Sequence, residues 1–101
     1  MRHFLIAATS VMDRAWVDGY LRDVTRLVHE HGGEVVVRSP RVEGLEGDAP
    51  DVVSVLAFPS RAAAVAFYES AAYAPHREAR WRGSHGPLWL VPAEDVAASP
   101  P

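Results

Sequence analysis

The chain of 101 residues is long enough for one globular domain and too short for two. With 49 % hydrophobic and 23 % charged residues, it has the composition of a chain that folds, which excludes an intrinsically disordered protein. A formal net charge of −3 argues against a nucleic-acid partner, because phosphates need a basic face. The absence of cysteine excludes disulfides, thiolate metal sites and cysteine nucleophiles.

Residues 4–9 predict a first strand that is apolar on both faces. Phe4, Ile6 and Ala8 alternate with Leu5 and Ala7, so both sides of this strand are expected to be covered. The apolar run is only five residues long, too short for a signal-peptide core or a membrane span. We therefore expect a cytoplasmic protein that makes no contact with a membrane.

A long helix is predicted from Asp13 to His31, where apolar residues recur at helical spacing. Gly32-Gly33 supplies its left-handed stop. The β-branched run 34–38 predicts the second strand, with a bend at Pro40 before an extension over 42–45.

The rest of the chain contains two strands and two helices in alternation, followed by a tail. They are predicted in this order: a strand over 51–58, a helix over 61–69 capped by Ser60, a helix over 72–81, and a strand over 88–91. The domain is therefore expected to span residues 1–92, and the tail 93–101 is expected to be disordered.

The element order β-α-β-β-α-β predicts a ferredoxin-like α+β fold, a four-stranded antiparallel sheet with both helices on one face. Two helices cover one face only, yet three strands are apolar on both faces. A homodimer built sheet against sheet, a dimeric α/β barrel, would cover the other face. The alternative is that a few apolar residues simply remain exposed.

Several short motifs, in this order and spacing, resemble the bacterial family named domain of unknown function 1330, within the dimeric α/β-barrel superfamily. They are His31-Gly32-Gly33, Arg38, Leu45-Glu46-Gly47-Asp48, Phe58-Pro59-Ser60, Phe67-Tyr68-Glu69-Ser70 with Tyr73, and Arg80. The resemblance covers residues 4–91 and implies the same fold and dimer. The chain departs from the family pattern at Ser70-Ala71-Ala72-Tyr73 and at Pro92-Ala93.

The resemblance implies little about chemistry, because the wider superfamily contains cofactor-free oxygenases, cyclases, isomerases, haem-degrading enzymes and proteins of no known activity. Fold alone does not choose among them. No phosphate-binding glycine loop or nucleotide fingerprint is present, and no cofactor is expected. His29 and His31 lie about 200° apart on a helix, so they predict no metal site.

Three residues are candidates for proton transfer or charge stabilisation. His85, in a glycine-flanked segment that would serve as a lid, is the first choice for a general base. His31 is either a pocket acid or base, or a core histidine bonded to the backbone. Arg80, with Arg77 on the neighbouring turn, either grips a carboxylate or an enolate, or pairs with a carboxylate such as Glu46.

The predicted substrate-binding residues are Tyr20, Arg38, Glu46, Tyr73 and Trp81. The first hypothesis is a cofactor-independent cyclase or isomerase that acts by proton transfer on an aromatic or polyketide-like molecule. A cofactor-free monooxygenase is the nearest enzymatic alternative. A noncatalytic homodimer that binds a small hydrophobic or acidic ligand is the alternative from another class.

Overall fold

One open antiparallel sheet carries the helices on a single face. The computed structural model describes residues 1–97. Its elements are β1 (His3–Val11), α1 (Val17–Glu30), β2 (Glu34–Ser39), β3 (Val52–Phe58), α2 (Arg61–Glu69), α3 (Ala74–Gly83), β4 (Ser84–His85) and β5 (Leu88–Pro92). Strand β1 pairs with β3 on one side and with both β4 and β5 on the other, and β2 forms the far edge beyond β3. The ferredoxin-like α+β prediction is confirmed.

The helix boundaries differ from the sequence prediction at two starts. Helix α1 begins at Val17 rather than at Asp13, because the Asp13 carboxylate accepts a hydrogen bond from the Ala15 N–H and holds a turn. Helix α3 begins at Ala74 rather than at residue 72, with a proline in its first turn, where no N–H is needed. It continues to Gly83, beyond the predicted end.

The strands differ in two places as well. Strand β2 ends at Ser39, and the predicted extension over 42–45 lies in an irregular loop. The two-residue strand β4 was not predicted. It pairs with the end of β1, and it is separated from β5 by Gly86, whose positive φ of 133° lets the chain pass close to the Ala8 carbonyl.

The hydrophobic core lies between the sheet and the helices, towards one end of β1. Leu5 and Leu56 are opposite each other in the β1–β3 ladder and point to the helix face. Val24 and Val28 of α1 and Phe67 of α2 pack onto them. These aliphatic and aromatic side chains form the packed part of the interior, and Val28 is fully buried.

The outer face of the sheet, which carries no helix, is apolar. Ile6 lies between Val55 on β3 and Trp89 on β5, and Val37 of β2 extends the same row. Trp89 is 50 % exposed in the single chain. We call this surface, with Phe4, Ala8, Val53 and Val91 of the adjoining rows, the outer apolar face.

The chain after β5 begins with a turn. The Ala93 N–H donates to the Arg2 carbonyl at 2.9 Å, which fixes the start of the segment predicted to be disordered. Residues 98–101 lie outside the described part of the chain, so disorder over 93–101 stays a prediction. Within residues 1–97, no helix is long and apolar enough to cross a membrane.

Candidate functional site

A partly enclosed cavity of about 260 Å³ separates part of α1 from the sheet. Its floor begins where the core ends: Ala7 faces Ser54 across the β1–β3 ladder, in the row next to the Leu5–Leu56 pair. Small side chains in this row leave room that leucines fill in the next one. The cavity is therefore a consequence of which residues occupy the helix-facing positions of β1 and β3.

The remaining lining comes from every layer of the domain. Helix α1 supplies the roof, α2 and the segment up to α3 supply the inner wall, and the ends of β1, β2 and β3 continue the floor. The lining residues outside the Ala7–Ser54 row are Leu5, Thr9, Val11, Arg14, Trp16, Val17, Tyr20, Leu21, Val24, Arg38, Pro40, Val52, Leu56, Phe67, Tyr73, Arg80 and Leu88.

Arg80 is the buried charge of this site. It projects from α3, is 7 % exposed, and forms no ion pair with any described carboxylate. Its Nε is buried without a hydrogen-bond partner. A buried cation without a carboxylate partner is costly in free energy, so Arg80 is a feature of this cavity that packing alone does not explain.

Two tyrosine hydroxyls lie beside Arg80. The Tyr20 and Tyr73 oxygens are 2.8 Å apart, within hydrogen-bonding distance. Burial, and after it the neighbouring Tyr73, raises the pKa of Tyr20 well above its usual value. Tyr20 therefore keeps its proton at neutral pH and acts as a hydrogen-bond donor rather than a base.

Two further arginines contribute to the lining. Arg38 donates from Nη1 to the Thr25 hydroxyl at 2.9 Å, and burial lowers the pKa of Arg38 from its usual value. Arg14 is exposed. The residues that line the cavity include three arginines and no aspartate, glutamate or histidine, so the field inside favours a negatively charged ligand.

The structure brings four of the predicted site residues together: Arg80, Tyr20, Tyr73 and Arg38 all line the cavity. Their roles in binding or catalysis stay predictions. The predicted alternative for Arg80, a salt bridge with Glu46, does not form, since Glu46 is exposed in the loop between β2 and β3.

His85 does not join them. It pairs with Ser10 in the β1–β4 ladder, and Ser10 lies on the same face of β1 as Ala8, which belongs to the outer apolar face. Successive residues of a strand point to opposite faces, so Ser84 turns towards the helices and His85 turns away from the cavity. His85 is exposed and is not among the residues that line the cavity, and its role as a general base stays a prediction.

His31 and Trp81 also lie outside the cavity lining. The His31 Nδ1 is 2.8 Å from the Leu27 carbonyl and its ring meets the edge of Phe67, which is the backbone-bonded alternative. Trp81 is 57 % exposed. Arg77 stacks over the Trp81 ring, donates to the Tyr68 carbonyl, and is not among the residues that line the cavity.

Sequence reasoning missed Arg14 and the small floor residues. Arg14 lies just before α1, and no motif in the sequence singles it out. The signal for the floor was present in the alternation of β1, where Ala7 and Thr9 follow Leu5 on the helix-facing side. Within residues 1–97, no cluster of three or more metal-ligating side chains is found.

The fold and the site define a class: a ferredoxin-like α+β domain with a small-molecule-sized cavity between its sheet and helices. Residues 2–93 match the family model described as Domain of unknown function (DUF1330), and the chain belongs to this family. No curated protein matches it by sequence.

Solved structures support the fold. The RPA0582 protein of unknown function from Rhodopseudomonas palustris superposes with a TM-score of 0.75 at 20 % identity, covering 93 % of this chain and 84 % of that one. SnoaB, a cofactor-independent oxygenase from Streptomyces nogalater, superposes with a TM-score of 0.69 at 13 % identity, covering 97 % of this chain and 98 % of that one. Rv0793 from Mycobacterium tuberculosis superposes with a TM-score of 0.54 at 13 % identity, covering 95 % of this chain and 99 % of that one.

Proposed function

We propose that the cavity is the substrate site of a cofactor-independent enzyme whose substrate is, or becomes during the reaction, a small, partly aromatic anion. The observation that carries this proposal is the lone buried charge of Arg80. A bound carboxylate or enolate would supply the missing partner, and the low local dielectric would make the interaction strong.

The size and lining of the cavity support a compact, flat substrate. Its volume of about 260 Å³ is slightly below the range for drug-sized ligands, and aliphatic and aromatic side chains make up most of its wall. Trp16, Tyr20, Phe67 and Tyr73 offer ring faces and edges against which an aromatic or alicyclic body packs. An anionic head near Arg80 and an apolar body along the floor describe the expected ligand.

The same groups suit chemistry that passes through an oxyanion. Arg80 and the tyrosine hydroxyls are donors placed where negative charge would develop on a substrate oxygen. Because no carboxylate or imidazole is among the lining residues, the substrate must ionise readily, with its proton passing to water. Enolisation of this kind begins a cyclisation or isomerisation by proton transfer.

Monooxygenation is a second candidate, favoured by the likeness to SnoaB, whose description names a cofactor-independent oxygenase. An enolate is the electron-rich form of a substrate, and dioxygen would oxidise it. That reaction starts from the same anion, so the arrangement around Arg80 serves both candidates.

A panel of aromatic acids, phenols and 1,3-diketones tests the proposal. Compounds that raise the melting temperature of the wild type but not of Arg80→Met identify ligands of the site, because binding stabilises the native state by mass action. Proton NMR in D₂O then measures exchange at the enolisable carbon, and an oxygen electrode measures uptake of dioxygen. Exchange supports the cyclase or isomerase, and uptake supports the monooxygenase. Binding without exchange and without uptake of dioxygen would indicate a noncatalytic ligand-binding protein. No binding at all would refute the proposal.

We also propose that a second copy of the chain covers the outer apolar face. The row Val37, Val55, Ile6 and Trp89 is continuous across the sheet, and an exposed face of this kind promotes association. Light scattering should give twice the chain mass of 11.0 kDa at micromolar concentration. Trp89→Glu should give the single-chain mass, whereas Trp81→Glu, the same change at an exposed tryptophan on α3, should leave the dimer intact. A wild type with the mass of one chain contradicts the proposal.

A further inference from the structure

The hydrogen bond between the two tyrosine hydroxyls of the cavity has a direction that the surroundings determine. The oxygens of Tyr20 and Tyr73 are 2.8 Å apart, and on distance alone either could donate. Arg80 lines the same cavity as Tyr73, and its guanidinium has donors only, so it offers the Tyr73 hydroxyl no acceptor.

Burial decides where the Tyr73 hydrogen goes. Tyr73 is 1 % exposed, and among the described residues the Tyr20 oxygen is the one hydrogen-bond partner of its hydroxyl. A buried hydroxyl hydrogen without an acceptor is strongly disfavoured, whereas the half-buried Tyr20 borders the cavity. The Tyr73 hydrogen thus goes to the Tyr20 oxygen, and the chain of donors runs from Tyr73 to Tyr20.

The hydroxyl hydrogen of Tyr20 is available to donate to a group inside the cavity. Its own oxygen already accepts from Tyr73, and a hydroxyl that accepts one hydrogen bond is polarised by it, which makes Tyr20 a stronger donor. Arg80 borders the same space, so two donors on either side of Tyr73 face the ligand. Two oxygens that share one negative charge match two such donors.

We infer that Tyr20 donates directly to one oxygen of a two-oxygen oxyanion while Arg80 faces the other, and that Tyr73 is a positioning residue that fixes the direction of the Tyr20 hydroxyl. This inference rests on the proposed function and specifies its substrate class. The shared chemistry is a delocalised oxyanion on an aromatic body, either an aryl carboxylate or the enolate of a 1,3-dicarbonyl compound.

Benzoate and benzoylacetone separate these two sources. Benzoylacetone also reports its own ionisation, because its enolate and its neutral form absorb at different wavelengths. Binding to the wild type should lower the pH at which it ionises. Binding of both probes, or of either one alone, supports the inference and identifies the source of the oxyanion.

Three matched tyrosine substitutions test the direction of the chain. Tyr20→Phe should weaken binding of the probe by about 10-fold and abolish most of the shift in its ionisation, as loss of one hydrogen bond to a charged acceptor predicts. Tyr73→Phe should weaken binding less than about 3-fold, since the Tyr20 hydroxyl remains. Tyr68→Phe, whose hydroxyl lies outside the cavity lining, should change neither value.

The outcomes separate failure of the inference from failure of the proposed function. A wild type that binds neither probe refutes the proposed function. Two outcomes overturn the inference alone, provided that the wild type binds a probe. In the first, Tyr73→Phe binds the probe more weakly than Tyr20→Phe does. In the second, Tyr20→Phe binds the probe as tightly as the wild type does. Melting curves without probe establish that each variant folds, and Tyr20→Met serves as the second variant if Tyr20→Phe does not.

Discussion

Replacing Arg80 by methionine should make the empty protein more stable while it destroys the binding site. The side chain is almost completely buried, lacks a carboxylate partner and has an unpaired Nε. Methionine has a similar length and no charge, so it fills the same volume without the cost of removing a cation from water. Tyr73 keeps Tyr20 as its hydrogen-bond partner after the change.

The magnitude follows from two opposing contributions. Burying a charge costs several kcal/mol after relaxation, whereas electrostatic interactions with the neighbouring Tyr73 and Tyr20 hydroxyls return about 1.5–3 kcal/mol of that cost. The net gain from Arg80→Met is then about 1–2 kcal/mol in the free energy of unfolding. For a domain of this size, this corresponds to a rise of about 5–10 °C in the melting temperature.

Thermal melts and urea titrations of the ligand-free proteins measure the effect, with Arg77→Met as the matched control. Arg77 is on the same helix and also has a buried Nε without a partner, but its Nη1 donates to the Tyr68 carbonyl at 2.8 Å and its guanidinium stacks on two rings. Its removal should therefore lower stability. If Arg80→Met instead melts several degrees below the wild type, Arg80 is a structural residue and the argument for an anion site fails.

Three other changes test the packing around the site. Gly83→Ala should cost about 2–3 kcal/mol in urea unfolding, because its new Cβ would collide with the Trp16 ring. Gly19→Ala, whose Cβ would make an ordinary contact with the flexible end of Arg22 at 3.9 Å, should be neutral or stabilising, and equal losses would contradict this view of the Trp16 contact. Ala7→Leu should fill the cavity floor, and the melting temperature of the ligand-free protein should stay the same or rise. Ligands should no longer raise the melting temperature of this variant, and a retained rise would place the ligand elsewhere. The raised pKa of Tyr20 means that the unfolded chain loses this proton first, so the free energy of unfolding should fall as the pH rises above about 10. Tyr20→Phe should reduce that fall. An identical loss of stability at alkaline pH in the two proteins would argue against the shift.

The fold could be predicted from the sequence because its signals are local and repeated. The apolar spacing of α1, the β-branched strands and the Ser60 cap, whose hydroxyl accepts from the Ala63 N–H, each specify an element on their own. The irregular loop after Ser39 and the two-residue β4 could not be predicted in this way. Both depend on which backbone groups of the neighbouring strands are left without a hydrogen-bond partner, and the sequence of a single segment does not show this.

The site was harder to predict, because it depends on which face each side chain takes. His85 had the most suggestive chemistry in the sequence, yet a two-residue strand turns it to the outer face. Arg80 was recognised as a cation able to hold an anion, but the sequence left its partner undecided between a ligand and Glu46. Only the position of Glu46 in the exposed loop removes that second choice.

The cavity and the lone cation are consequences of one arrangement along the sheet. In the Leu5–Leu56 row, large side chains meet α1 and complete the core; in the adjoining row, Ala7 and Ser54 stop short of it and leave a space. A chain selected for stability alone would fill that row with larger apolar residues and would not direct Arg80 towards it. Because unfilled volume and an unpaired buried charge both lower stability, their coincidence at one place is best explained by a ligand that supplies the missing volume and the missing charge.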